Sequence, residues 1–306
     1  EWEGFRFWDL VQPFFMFIVG VAIPFSIAKR MSQGQTWPTL IRHAGQRSII
    51  LILLGITLGT SVSEFRLTFQ NVLAQIGITY FIAFLLIRTR WSVQLLTSLG
   101  LIALTALLYR LFPLEGDQPF VQGKTFGALT NQFIAPGARG NWASFNAIPT
   151  AAHTIWGALC GQLLRSALSD TRKLRLLILG GLVALAIGYA LTPVSPIIKR
   201  ICTSSFVLVS GGWSILALAL TYWIIDIKQY KRWAMFGVIV GMNPIFIYLF
   251  HGFIENIAQR FLGPWIHLFL GWTPPTFLEV FMLAVAWFFN WYVCYLLYKR
   301  RIFIRI

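Results

Sequence analysis

A small set of polar side chains in this chain sits in stretches that are otherwise oily. Asp9 and Gln12 open the apolar run DLVQPFFMFIVGVAIPFSIAK. Gln70, Asn71 and Gln75 open another, with Asn71 and Gln75 one helical turn apart. His153 lies inside a third run, and Lys199 precedes a fourth. Asn243 interrupts a later run beside Pro244, and His251 and Glu255 follow it at i, i+4 spacing. Glu279 and Asn290 lie in the last run. Such groups are costly at membrane depth unless they have a partner or a task. Carboxylates and imidazoles move protons, amides donate to developing negative charge, and an ammonium attracts an anionic group. Asp9, Asn71, Lys199, His251 and Glu255 are expected near one face of a membrane, around a shared polar cavity. Simpler roles stand beside this one. Asn71, Gln75 and Asn290 also suit hydrogen bonds that join helices, and His153 suits a bonded core position. His251 with Glu255 also suits a helix-end pair of about 0.3–0.5 kcal/mol.

The elements that hold these groups follow from composition. The chain has 306 residues, 57% hydrophobic and only 11% charged, so disorder is excluded and an integral membrane protein is indicated. About 20 apolar residues in a helix cross a bilayer core of about 30 Å. Nine segments qualify, at 9–28, 48–62, 71–87, 91–111, 147–164, 176–192, 204–225, 234–250 and 277–298. The second is short, and the preceding Leu40–Arg47 extends it. The expected fold is all-α, a polytopic membrane helical bundle of about nine transmembrane helices. It forms a single domain over residues 1–306, with a long connection at 112–146. Pro13 fits the first turn of its helix, where its missing N–H has no partner to lose. The pairs Gly55/Gly59 and Gly157/Gly161 are small-xxx-small patterns for close helix packing. The three cysteines and four histidines are too scattered for a metal site. No internal repeat of the kind found in many transporters is visible.

Charge sets the expected topology. Alternate connections carry Lys29, Arg30, Arg42 and Arg47; Arg88 and Arg90; Arg165, Arg172, Lys173 and Arg175; Lys228, Lys231 and Arg232; and Lys299, Arg300, Arg301 and Arg305. The other side holds most of the acids, including Glu1, Glu115 and Asp117. The positive-inside rule then puts Glu1 outside and the C-terminus in the cytoplasm. The net charge of +15 therefore reads as a topology signal, not as nucleic-acid binding. The long outer connection, with Lys124 and Arg139, suits a lid or a solvated loop. Gly252 to Pro275 suits a helix at the membrane interface, through Trp265, His267 and Trp272.

Several segments resemble one family. EWEGFRFWDLVQPFFMFIVGVAIPFS, NVLAQIGITYF, IPTAAHTIWGALCGQLLRS, PIIKRICTSSFVL and GMNPIFIYLFHGFIENI occur in family order, and the end YKRRIFIRI resembles its basic tail. Together they resemble the heparan-alpha-glucosaminide N-acetyltransferase family over essentially the whole chain. The resemblance implies a multi-pass acyltransferase that takes acetyl-CoA from the cytosol. The acceptor would be an amino sugar or glycan on the far side, in a bacterial inner membrane. Asp9, Asn243 and His251 are the implied catalytic residues. Trp2, Gln12, Asn71, Gln75, Lys199 and Glu255 are the implied substrate-binding residues. No metal is implied, and a homo-oligomer is an expected partner state. The family's catalytic histidine would precede Trp2. The chain opens with Glu1 rather than Met, so upstream sequence carrying that histidine and a further helix is expected, and this piece alone is expected to be inactive. Ala74-Gln75 replaces the family's usual Gln-Arg. A transporter or flippase of a glycan or lipid intermediate would use the same polar cavity without acyl chemistry. A structural membrane scaffold would have no cavity at all.

Overall fold

The computed structural model describes residues 2–59, 68–114, 116, 118–134 and 142–304. Glu1, Glu115, Asp117, Arg139 and Arg305, named in the charge pattern above, lie outside the described residues. The described residues are all-helical, with no strand. They divide into two compact units, Glu1–Trp223 and Ile224–Ile306.

The first unit holds α1 (Val11–Ser32), α2 (Trp37–Gly59), α3 (Val72–Leu86), α4 (Trp91–Leu111), α5 (Phe126–Ile134), α6 (Ala147–Arg165), α7 (Asp170–Ala190) and α8 (Ser204–Tyr222). Its axis is α6, which contacts α1, α3, α4 and α8. Most of α6 is buried, including Ala151, Ala152, His153, Thr154 and Ile155. Small residues make this enclosure possible. A methyl built on Gly20 of α1 would overlap the carbonyl oxygen of Thr154, and one on Gly157 would overlap that of Phe17. Gly161 meets Val21 and Pro24 in the same way. The backbones of α1 and α6 therefore touch along a glycine seam, as the Gly157/Gly161 spacing predicts. Gly55 of α2 does the same against Ala74 of α3. The outer helices face the other way. Leu96, Leu99, Leu104 and Leu107 of α4, and Leu179, Leu182 and Val183 of α7, are exposed, as suits contact with acyl chains.

The second unit holds α9 (Ala234–Gly241), α10 (Pro244–Leu270) and α11 (Pro275–Lys299). The ring of Phe236 stacks on Trp291 at 4.8 Å, and Trp291 Nε1 donates to the Phe236 carbonyl at 3.1 Å. These contacts fix α9 against α11.

Each of the nine expected segments overlaps a helix, 234–250 overlaps two, and positions 60–62 of the second lie outside the described residues; nine spans are not reached on length and apolarity. Among the described residues five helices are long and apolar enough to cross a membrane, or six if α9 and α10 count as one broken span. The segment expected as one span at 234–250 is bent by 87° at Met242-Asn243, where Pro244 begins a new helix. α3 has only 15 residues. α6 carries His153, three threonine or glutamine side chains (Thr150, Thr154, Gln162) and Pro149, which its protein neighbours tolerate better than lipid would. α2 begins at Trp37, ten residues before the basic stretch ends, because Leu40, Ala44, Ser48 and Leu51 form a buried stripe at i, i+4 and i+3 spacing. The segment expected to form a separate interfacial helix after residue 252 is the continuation of α10. These helices make the protein an integral membrane protein.

Candidate functional site

The first unit contains a polar pocket of about 230 Å³ at the entrance to α1. Its walls include Trp2, Arg6, Trp8, Asp9, Trp142 and Lys199. Three pieces of chain far apart in sequence build it. The N-terminal segment is tied down by Gly4, whose N–H donates to Ile197 at 3.0 Å, and by Trp2, whose Nε1 donates to Phe120 at 2.7 Å. Gly4 has φ +115°, a conformation few other residues adopt. A 3-10 turn at Phe7–Leu10 then leads into α1.

Asp9 closes that turn. Its Oδ2 accepts the Arg6 N–H at 2.8 Å, and its Oδ1 lies 3.2 Å from Lys199 Nζ. Lys199 comes from a second 3-10 turn, Lys199–Ile201, which ends at Cys202 with φ +49°. Thr203 pins this turn: its Oγ1 accepts from Ile198 N at 3.1 Å and donates to the Pro196 carbonyl at 2.7 Å. The Lys199 ammonium also donates to the Trp8 carbonyl at 3.4 Å and sits 5.7 Å from the centre of the Trp142 ring. Asp9 and Lys199 keep 14% and 22% of their side-chain surface, so a ligand can reach both.

Behind the pocket runs a chain of amides. Gln12 Nε2 donates to Gln75 Oε1 at 2.6 Å, and Gln75 Nε2 donates to the Gln70 carbonyl at 3.0 Å. Gln70 Nε2 in turn donates to the Trp142 carbonyl. Asn131 Nδ2 donates to the same carbonyl at 2.8 Å and its Oδ1 accepts Ser144 N at 2.9 Å. Asn71 caps α3, accepting Leu73 N at 2.9 Å. Thus Trp2, Asp9 and Lys199 line one pocket, and Gln12 and Gln75 form the layer behind it.

The second unit places the other expected residues. His251 and Glu255 line a mostly apolar pocket of about 410 Å³ with Ile247, Trp287, Asn290 and Trp291. His251 Nδ1 donates to the Tyr248 carbonyl at 3.0 Å. Glu255 accepts from Gln259 at 3.2 Å. Asn243 is not among the residues lining this pocket. It is buried, and its amide clasps the C-terminal segment: Nδ2 donates to Ile302 at 3.1 Å and Oδ1 accepts Ile304 N at 2.8 Å. Both halves of the amide are therefore already occupied.

His153 is a core residue between α6 and α8. Its Nε2 lies 2.9 Å from Ser210 Oγ and 3.2 Å from the Val207 carbonyl. Among the described residues no group of three or more His, Cys, Asp or Glu could hold a metal ion. Trp142 and Arg6 are site residues that sequence reasoning did not single out. Trp142 lies in a Gly/Pro/Asn-rich connection with no periodicity to mark it, and Arg6 reads there as one basic residue among many.

The chain is similar to human heparan-alpha-glucosaminide N-acetyltransferase, 24% identical over 325 aligned positions that cover 84% of this chain. The match supports a distant family relationship and agrees with the motif resemblance. The chain spans about half the length of that curated relative, 48% of it. No protein-family model matches the chain.

Proposed function

We propose that this protein is a membrane-embedded acyltransferase that moves an acetyl group from acetyl-CoA to the amine of an amino sugar or glycan. The observation that carries this reading is the Asp9–Lys199 pocket. It is a polar, partly open hollow walled by indoles, at the mouth of the helix into which the WEGFRFWDLVQP segment leads. The relative's name adds support for a transferase of this general kind.

In the reaction the acceptor nitrogen attacks the thioester carbonyl carbon. The new C–N bond forms, the C–S bond breaks, the amine proton passes to a base, and CoA leaves as its thiol. Trp2 and Trp142 offer flat apolar faces for a sugar ring, and Lys199 and Arg6 offer donors to its oxygens. Asp9, with its charge balanced by Lys199, accepts a hydrogen bond from the N–H of the neutral amine acceptor or of a neighbouring imidazole. The second unit carries a candidate base of its own, His251, with Glu255 one turn away in the pocket there. Asn243 serves this scheme by holding the chain end rather than by donating to substrate.

The topology belongs to the same proposal. All nine segments cross the membrane, α2, α3 and α6 among them. The basic connections face the cytoplasm, where the nucleotide of acetyl-CoA would be met. The bacterial inner membrane is the proposed location.

The test uses the protein as its gene encodes it, reconstituted in proteoliposomes with acetyl-labelled acetyl-CoA and a panel of amino sugars and amine-bearing oligosaccharides. Labelled amide product is the expected result. Movement of intact glycan across the bilayer with no acetylated product would replace this reading with the flippase.

A further inference from the structure

The contacts around the first pocket close on themselves. Asp9 meets Lys199 at 3.2 Å, and Lys199 meets the Trp142 ring at 5.7 Å. The Trp142 carbonyl takes the Gln70 side chain, the Gln70 carbonyl takes Gln75, and Gln75 takes Gln12. Gln12 is three residues from Asp9 on the same turn of chain. Asp9, Trp142 and Lys199 line the pocket, whereas Gln12, Gln70 and Gln75 lie behind it.

Gln75 is the keystone of this ring. It is fully buried, on α3, with one amide atom turned to α1 and the other to the loop. Gln12 donates to its oxygen, so its NH₂ must face Gln70. A buried amide with both ends matched fixes its neighbours more strictly than apolar packing does. We infer that Gln75 is a positioning residue: acting through Gln70, it fixes Trp142 as the wall of the pocket that faces Lys199. The bond to the Gln70 carbonyl transmits the position of Gln75 to the wall, and α3 itself, not Gln12, holds Gln75 in place. This extends the acceptor-pocket reading by naming what sets the shape of that pocket.

The experiment uses the whole protein in detergent, labelled with 5-fluorotryptophan, with the Trp142 resonance assigned by its loss in Trp142→Phe. Gln75→Met and Gln70→Met each cut the path to Trp142, whereas Gln12→Met leaves it intact. The expected result is a shifted or broadened Trp142 resonance in the first two and an unchanged one in Gln12→Met. An unchanged resonance in Gln75→Met overturns the inference. Equal changes in Gln75→Met and Gln12→Met also overturn it, because the pair would then be simple glue between α1 and α3. If Gln75→Met does not fold, Gln70→Met decides in its place. In the transfer assay, Gln75→Met should raise KM for the acceptor roughly tenfold, about the worth of one hydrogen bond, with kcat little changed. Only this kinetic arm rests on the acyltransfer reading. If the unaltered protein transfers no acetyl group, that reading fails while the resonance arm still stands or falls alone.

Discussion

Asp9 and Lys199 meet at 3.2 Å although 189 residues separate them in the chain. The acid lies within the first 3-10 turn and the base begins the second, so the pair joins the start of α1 to the approach of α8. Part of each side chain meets solvent, so the pair contributes little to folding, about 1 kcal/mol or less. Its larger effect is on the pocket. Asp9→Asn and Lys199→Met should therefore leave the unfolding temperature within a few degrees of the parent. Acetyl transfer should fall by roughly 10²-fold or more. Asp9→Asn protein that retains full transfer would remove Asp9 from the mechanism.

The glycine seam between α1 and α6 predicts a sharp contrast between two alanine variants. Gly157→Ala pushes a methyl into the Phe17 carbonyl and should destabilise by about 1–3 kcal/mol. Gly180→Ala, on the exposed face of α7 with no atom within 4 Å, should stabilise by about 0.5–1 kcal/mol through helix propensity. Thermal unfolding in one detergent compares the two directly. A neutral Gly157→Ala would mean the two backbones do not touch.

Cys202 should resist alkylation. It is fully buried, and its Sγ donates to the Lys199 carbonyl at 3.2 Å. Burial raises its thiol well above the usual range, with the nearby Lys199 ammonium pulling weakly the other way. A raised value means less thiolate at any given pH, so maleimide labelling at pH 8 should be far slower than for a free thiol. Labelling should approach the free-thiol rate only in denaturant, as read by mass spectrometry. Rapid labelling of native protein at Cys202 would contradict the burial.

Asn243 should control the chain end. Asn243→Leu strips partners from two backbone groups, and trypsin should then cut at Lys299–Arg301 roughly tenfold faster. Asn243→Asp keeps the acceptor for Ile304 N and loses the donor to Ile302, so it should fall between. Equal cleavage rates in all three proteins would show that the clasp does not hold the tail.

Apolar patterning found helix along each oily run, because a helix is the only economical way to satisfy such backbones, but it did not find α10 as one helix. It set the core of α2 at 48–62, and the extension over Leu40–Arg47 holds because those residues carry the start of a buried stripe at Leu40 and Ala44. It also passed straight through Met242-Asn243, because hydropathy is blind to an 87° turn. Residue chemistry found Asp9, Gln12, Gln75 and Lys199, each costly where it stands. It did not find that Lys199 is the partner of Asp9, since a contact so distant in sequence depends on how the helices stack. Trp142 carried no signal, because an indole in an irregular loop looks like any other until its carbonyl is seen to take two side-chain amides.

The enclosure of α6 also bears on how the protein is made. As α6 leaves the ribosome, α1, α3 and α4 are already available, but Ser210 and the Val207 carbonyl of α8 are still to be synthesised. The imidazole of His153 is therefore made before its partners exist, and only the chain that runs on through α7 delivers them. Enclosure of α6 is thus a waiting step. A delay in the α7–α8 hairpin would expose a half-finished protein to membrane quality control.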